Sequence, residues 1–241
     1  MMGTLAAAAL LGGLGLWGLH NMNSTNTKTD NRTQNKFFTV ETSEGEFCRI
    51  NTSDLSSPFY GSAWTKILTA YEQKDFLRGR VITRSVSRDN RFSGYSVDIE
   101  GVEAFLPASK AAWFHAPERD ACGKFIALSV ENVYTSGAKI GKLVVNAYEP
   151  LRFLTSKQDR KTYNPGGLPY AIAVDYNASF LIFPHLRDKV IYVPMQEALR
   201  VAQAHKLGNN PENFTGYCWQ LRVKGWKGSE CLASAVNVLT E

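Results

Sequence analysis

The feature that most constrains the fold is a run of short β-branched or aromatic segments between residues 76 and 148, each ended by Gly, Asn, Asp or Pro. The five segments are FLRGRVITRSV, GYSVDI, VEAFL, KFIALSVENV and GKLVVNAY. Short strands separated by turn residues are typical of closed antiparallel barrels, and five of them suit an OB-fold. The sequence therefore predicts a mainly β protein whose first barrel is five-stranded.

Two helices are predicted beside these strands. Residues 62–74 place four apolar residues on one helical face, namely Trp64, Ile67, Leu68 and Tyr71. Residues 194–208, PMQEALRVAQAHKLG, begin at proline and end at glycine, which are helix start and stop signals. The first helix leads into the barrel, and the second interrupts a later β-rich region.

The second half of the chain is predicted to repeat the first. Sliding the sequence so that Phe76-Leu77 meets Phe153-Leu154 also aligns Val97-Asp98 with Val174-Asp175, and Pro107 with Pro184. An alternative stays open, since two β-rich segments can align this well without common ancestry. With the repeat, the fold class is mainly β: tandem five-stranded OB-like barrels, with a leading amphipathic helix and one inserted helix in the second barrel.

Four segments are predicted along the chain. They are a hydrophobic leader or anchor plus polar tether at 1–36, a hairpin extension at 37–61, an OB barrel at 62–150 and a second, degenerate OB-like barrel at 151–241. Residues 4–19 carry no charge, but a spanning helix needs about 20 apolar residues. An organelle leader is favoured over a retained membrane anchor, and secretion ranks third.

Charge favours a polyanionic partner, and no motif favours catalysis. The formal net charge is +5 and the pI is near 9.0. The four cysteines are widely separated without a C-x-x-C pair, so no zinc site is predicted. Phosphate-binding glycine loops and nucleophile elbows do not occur in the sequence. We therefore expect no enzyme activity, no cofactor and no metal.

Residues 63–109 resemble a known family. AWTKILTAYEQKDFLRGRV followed by GYSVDIEGVEAFLPAS is similar to the S-one domain, the RNA-binding repeat of the largest bacterial small-subunit ribosomal protein. Its most specific element is FLPAS at 105–109, after Gly101-Val102. The resemblance also covers 123–148 in part, and the second half only through the proposed repeat. It implies an OB barrel that binds single-stranded RNA.

The resemblance implies that Phe92 and Tyr95 are the paired aromatics of the binding face. The residues expected to bind phosphates are Arg78, Arg80, Arg84, Arg88, Arg91, Lys139 and Lys142. For both aromatics a packing role stays open, with Tyr95 half-buried in the barrel. At the equivalent positions the second copy has Pro169 and Ile172, so it is better suited to holding protein than RNA.

The resulting hypothesis is a non-enzymatic, single-stranded RNA-contacting protein, similar to an organellar small-subunit ribosomal protein of the S-one type. Its partners would be single-stranded or ribosomal RNA and protein subunits of a larger assembly, in the mitochondrion rather than the plastid. The alternative is a membrane-anchored accessory subunit of an organelle membrane complex. In that case residues 4–19 contact the membrane, and the OB barrels are a protein-binding scaffold.

Overall fold

A computed structural model describes residues 37–41, 47–116, 119–185 and 189–240. The leader and tether expected at 1–36, including the membrane contact at 4–19, lie outside the described residues. Within the described ranges, no helix combines the length and the apolar character needed to cross a membrane. The mainly β fold is confirmed, and it forms two compact units, taken in turn below.

The first unit opens with a two-stranded sheet and a helix. Strands β1 (Phe37–Glu41) and β2 (Phe47–Asn51) pair antiparallel. Helix α1 (Ser62–Gln73) follows, and its buried face consists of Trp64, Ile67, Leu68 and Ala70. Tyr71, expected on that face, is only half-buried. The amphipathic helix is otherwise as the 3.6-residue period predicts.

The closed barrel contains the five expected strands. They are β3 (Phe76–Val86), β4 (Phe92–Ile99), β5 (Val102–Pro107), β6 (Phe125–Val133) and β7 (Leu143–Asn146), in the order β3-β4-β5-β7-β6. β5 and β7 are parallel, whereas β3/β4, β4/β5 and β6/β7 are antiparallel. This is an OB-like, five-stranded arrangement.

Strand β3 shows why the barrel requires glycine at its centre. Leu77 and Val81 are buried together with Gly79, while Arg80 on the alternate face is exposed. A Cβ on Gly79 would lie 2.7 Å from a Val97 methyl and 2.8 Å from a Leu128 methyl. The strands can therefore pack closely only without a side chain at this position.

The second unit is a rolled six-stranded sheet with two helices. Helix α2 (Tyr148–Lys157) precedes β8 (Tyr170–Ile172), β9 (Asp175–Tyr176), β10 (Phe180–His185) and β11 (Lys189–Pro194). Helix α3 (Met195–Ala204), β12 (Cys218–Lys227) and β13 (Glu230–Leu239) follow. The order is β8-β12-β13-β11-β10-β9, with β11 and β13 parallel.

The two edges of this sheet are successive pieces of one interrupted strand. Only Ala173 and Val174 separate β8 from β9. The Ala173 N–H donates to the Tyr217 carbonyl at one edge, and the Val174 N–H donates to the Ile182 carbonyl at the other. The sheet therefore curls into a half-barrel, OB-like but with its first strand broken.

Helix α3 is the insertion predicted from 194–208. It buries Met195, Ala198 and Ala202 against a core that includes Phe183 and Trp219. The indole N–H of Trp219 donates to the Phe214 carbonyl at 3.1 Å, so the largest buried side chain is hydrogen-bonded.

The ungapped repeat alignment is wrong in register. It pairs residues 76–86 with 153–163, but 76–86 form strand β3 and residues through 157 belong to helix α2. A strand and a helix cannot occupy equivalent places. Both units contain a helix followed by strands. The two helices begin at Ser62 and Tyr148, so their separation in the sequence differs from the shift that the alignment used.

Candidate nucleic-acid interface

Tyr95, expected to be a base-stacking ring, lies inside the barrel. Its side chain is 1% exposed and shares the inner face of β4 with Val97 and Ile99. The hydroxyl donates long hydrogen bonds to the carbonyls of Phe114, at 3.4 Å, and Arg119, at 3.3 Å. Burial raises the pKa of the phenol. Tyr95 is therefore a core residue, and its assignment to RNA binding is wrong because no face of its ring is open.

Phe92 is half-buried at the start of β4, and the Arg84 guanidinium lies over its ring. The Arg84 guanidinium carbon lies 4.5 Å from the Phe92 ring centroid, and the Tyr95 ring packs edge-on at 5.0 Å. The β3/β4 register shifts between Ser85 and Val86, opposite this position. An Arg–Phe stack of this kind leaves Arg84 exposed beside the β3–β4 loop.

Phe105 is the exposed ring on the outer face of the barrel. It lies on β5 opposite Ser96 of β4 and beside Val144 of β7, and 39% of it is exposed. A Cβ added to Gly94 would meet the Phe105 ring at 2.9 Å. The glycine thus lets this aromatic ring lie across the neighbouring strand, where it forms a flat apolar surface open to solvent.

The expected cations fall into two groups at opposite strand ends. Arg84, Arg88 and Arg91 are exposed at the end of β3 and in the β3–β4 loop. Lys139 and Lys142 are exposed in the β6–β7 loop. Because β3 and β6 run in opposite directions in the barrel, the two loops lie at opposite ends of it. Loops at these two positions flank the ligand face of OB-folds, which is centred on the second and third strands.

Both loops are held by their own backbones. In the β3–β4 loop, the Ser87 N–H donates to the Arg91 carbonyl at 2.7 Å, and Asn90 adopts φ 56°. In the β6–β7 loop, the Tyr134 N–H donates to the Lys142 carbonyl at 2.9 Å, and Lys139 lies 5.1 Å from the Tyr134 ring centroid. The cations are therefore presented on ordered turns.

Arg78 and Arg80 lie on the outer side of β3, as alternation predicts, but Arg80 has carboxylates as well as cations near it. Arg80 is paired in register with Asp98, and Glu103 lies beyond it on β5. Carboxylates beside Arg80 reduce its value as a phosphate ligand. The carboxylates of Asp98 and Glu103 lie away from the β3–β4 loop, which carries Arg88 and Arg91.

Sequence reasoning missed Phe105, although a signal was present. Alternation along β5 buries Ala104 and Leu106 and exposes Glu103 and Phe105. The stretch FLPAS was used only as a family signature, so its outward-facing ring was not considered as a contact.

Two thiols and one histidine are buried in the second unit. Among the described residues, His, Cys, Asp and Glu do not come together in groups of three. Burial raises the pKa of Cys218 to about 12 and that of Cys231 to about 11, which keeps both thiols protonated. His185 is buried and stacks on Tyr163 at 3.9 Å between ring centroids. These groups are packed as core residues.

Comparison with known proteins gives little. Neither a protein-family model nor a curated protein matches the chain. Among solved structures it is similar to a multidomain protein with nucleic acid binding domains from Streptococcus pneumoniae, at 18% identity and a TM-score of 0.29. The match covers 70% of this chain and 52% of that one, so the chain spans about half the length of that protein. The assignment of function therefore rests on the chain's own residues.

Proposed function

We propose that the chain binds single-stranded RNA without catalysing a reaction, and that the outer face of β4 and β5 is the contact surface. The observation that carries the proposal is the exposed Phe105 ring over Gly94, on the face between two basic loops. Single-stranded nucleic acid is bound by aromatic rings that stack on bases, together with cations that follow the phosphates. The first barrel has both parts.

The Phe105 ring and the two basic loops would contact different parts of the RNA. A base stacked on Phe105 contributes about 1–3 kcal/mol, and the phosphates on either side lie toward the two loops. Arg88 and Arg91 supply charge at one end, while Lys139 and Lys142 supply it at the other. A strand crossing β4 and β5 would meet the loops in turn, which fits binding with little sequence preference.

In its finer form, the proposal is an S-one-type small-subunit ribosomal protein of an organelle, with mitochondrion favoured. Support comes from the FLPAS stretch of the resemblance, which ends β5 and carries the exposed ring. The net charge of +5 also suits a ribonucleoprotein partner. In such an assembly the RNA would be messenger or ribosomal, and the second unit would contact protein subunits.

The test is the affinity of the full chain for fluorescein-labelled oligouridine, measured by anisotropy at low salt. Phe105→Ala should weaken binding about 5- to 150-fold, which corresponds to the loss of one stacked base. The matched control is Phe47→Ala, because Phe47 is 74% exposed on β2, outside the barrel. Equal affinities for the wild type and Phe105→Ala, with the barrel still folded, would refute the proposed face.

A second candidate function is that of an accessory subunit whose OB barrels bind other proteins, and one observation favours it. Ile82 is 54% exposed and Val86 is 56% exposed, both on β3 next to the basic loop. Exposed aliphatic side chains suit a protein partner better than phosphate. If oligouridine does not bind at low salt and Ile82→Ser instead releases a partner from the native complex, the scaffold function replaces RNA binding.

A further inference from the structure

We infer that the second unit has its own binding site for single-stranded nucleic acid, in a groove on the outer side of β10, β11, β13 and β12. The choice of ligand rests on the proposed function, but the site shares no residue with the first barrel. The sequence predicts the opposite, since Pro169 and Ile172 stand where the resemblance expects stacking rings, and Ile172 is buried. The rings of this groove come from other strands.

The wall of the groove is apolar and aromatic. The groove has a volume of about 660 Å³ and is lined by Phe180, Tyr192 and Leu232, among others. The Phe180 and Tyr192 rings meet edge to face, with centroids 5.6 Å apart and an interplanar angle of 66°. Leu232, paired in register with Tyr192, is 43% exposed. This surface is large enough for one or two stacked bases.

A glycine in a β-bulge opens the groove. The β12/β13 register shifts between Val223 and Gly225, and Gly225 is then paired with Leu232. A Cβ at Gly225 would have no atom within 4 Å, so this strand contributes no side chain beside Leu232. Trp226 also lines the groove, and its indole N–H donates to the Tyr163 carbonyl at 2.8 Å. This hydrogen bond holds the Trp226 side chain in place.

Among the residues that the structure describes, cations outnumber carboxylates around this wall. Lys224 and Lys227 line the groove. Two further exposed cations neighbour Lys224: Arg222 precedes it on β12, and Arg200 acts electrostatically on the Glu197 that binds it. Two carboxylates oppose them: Glu197 accepts from Lys224 at 2.9 Å, and Glu230 is paired in register with Lys227. Lys189 lies 5.2 Å from the Trp226 ring centroid. The excess of cations beside aromatic rings favours a polyanion with flat apolar groups over a neutral apolar peptide.

The test counts sites on the full-length chain with an oligouridine of about eight nucleotides, within the site size of one OB fold. Native mass spectrometry and calorimetry should give two oligonucleotides per wild-type chain. Tyr192→Ala should reduce this to one, with the affinity of the lost site falling at least about fivefold. Leu232→Asp, which adds a negative charge on an exposed side chain, should do the same. Phe47→Ala is the control, and circular dichroism checks the fold of each variant.

The outcomes separate the two proposals. If Tyr192→Ala and Phe105→Ala each remove one oligonucleotide, both sites are real. If Tyr192→Ala and Leu232→Asp remove the binding while Phe105→Ala has no effect, the groove is a site and the first barrel is not. If both groove variants bind as the wild type does, the inference is overturned whatever Phe105→Ala shows. A wild type that binds one oligonucleotide, lost on Phe105→Ala, also overturns it.

Discussion

Replacing Tyr95 distinguishes a core residue from an RNA contact. Tyr95 is 1% exposed, so Tyr95→Ala removes a fully buried ring and leaves a cavity. Such aromatic truncations cost about 3–5 kcal/mol of the free energy of unfolding. Tyr95→Phe keeps the ring and removes only hydrogen bonds of 3.3 and 3.4 Å. Because these bonds are long, we expect about 0.5–1.5 kcal/mol for that change.

The assay must report on the barrel, because two units can unfold separately. Urea titration followed by hydrogen-exchange mass spectrometry gives the protection of peptides from β3 to β7 and, separately, of peptides from β10 to β13. Tyr95→Ala should lose protection in the first set, with Tyr95→Phe losing much less. Oligouridine binding by Tyr95→Phe should match the wild type. If Tyr95→Ala kept barrel protection and lost only RNA affinity, the ring would face the ligand and our reasoning would be wrong.

Three further predictions follow from single contacts. Gly79→Ala should destabilise the barrel by about 1–3 kcal/mol in urea titration, because its Cβ would overpack the core; an unchanged midpoint would contradict this. Arg88→Glu with Arg91→Glu should reduce the slope of log affinity against log salt by about 1.4, for two lost phosphate contacts; an unaltered slope would remove these arginines from the site. Burial, aided by Lys189, lowers the pKa of His185 to about 4. In the unfolded chain the pKa of His185 is about 6.5, so the unfolded state binds a proton more readily than the folded state. The free energy of unfolding therefore falls as pH drops from about 6.5 to 4. His185→Phe should flatten that pH dependence, measured by unfolding curves at both pH values.

Local pattern predicted most of the fold. The five strands of the barrel, the apolar face of α1 and the start of α3 follow from periodicity and proline, because these signals act over a few residues, whereas α3 ends at Ala204, before the predicted stop at Gly208. Alternation along β4 puts Tyr95 on the same face as Val97 and Ile99, which the structure shows to be buried. The family resemblance outweighed that signal, and the error in the candidate site came from there.

Register and strand order could not be read in the same way. The repeat alignment failed because it matched composition without knowing that residues up to 157 form a helix. The β-bulges at Ser85/Val86 and Val223/Gly225 change which side chains lie opposite one another. A bulge depends on how two distant strands fit together, so it cannot be predicted from the sequence of either strand alone.

The sequence by itself determined the five strands of the barrel, helices α1 and α3 and the excess of positive charge. Only the tertiary structure decided that Phe105 lies over Gly94, and that Phe180, Tyr192 and Leu232 from three strands line one groove beside Gly225 of a fourth. The physical reason is that a side chain's direction is set within its own strand, whereas its neighbours are set by pairing between strands far apart in the chain.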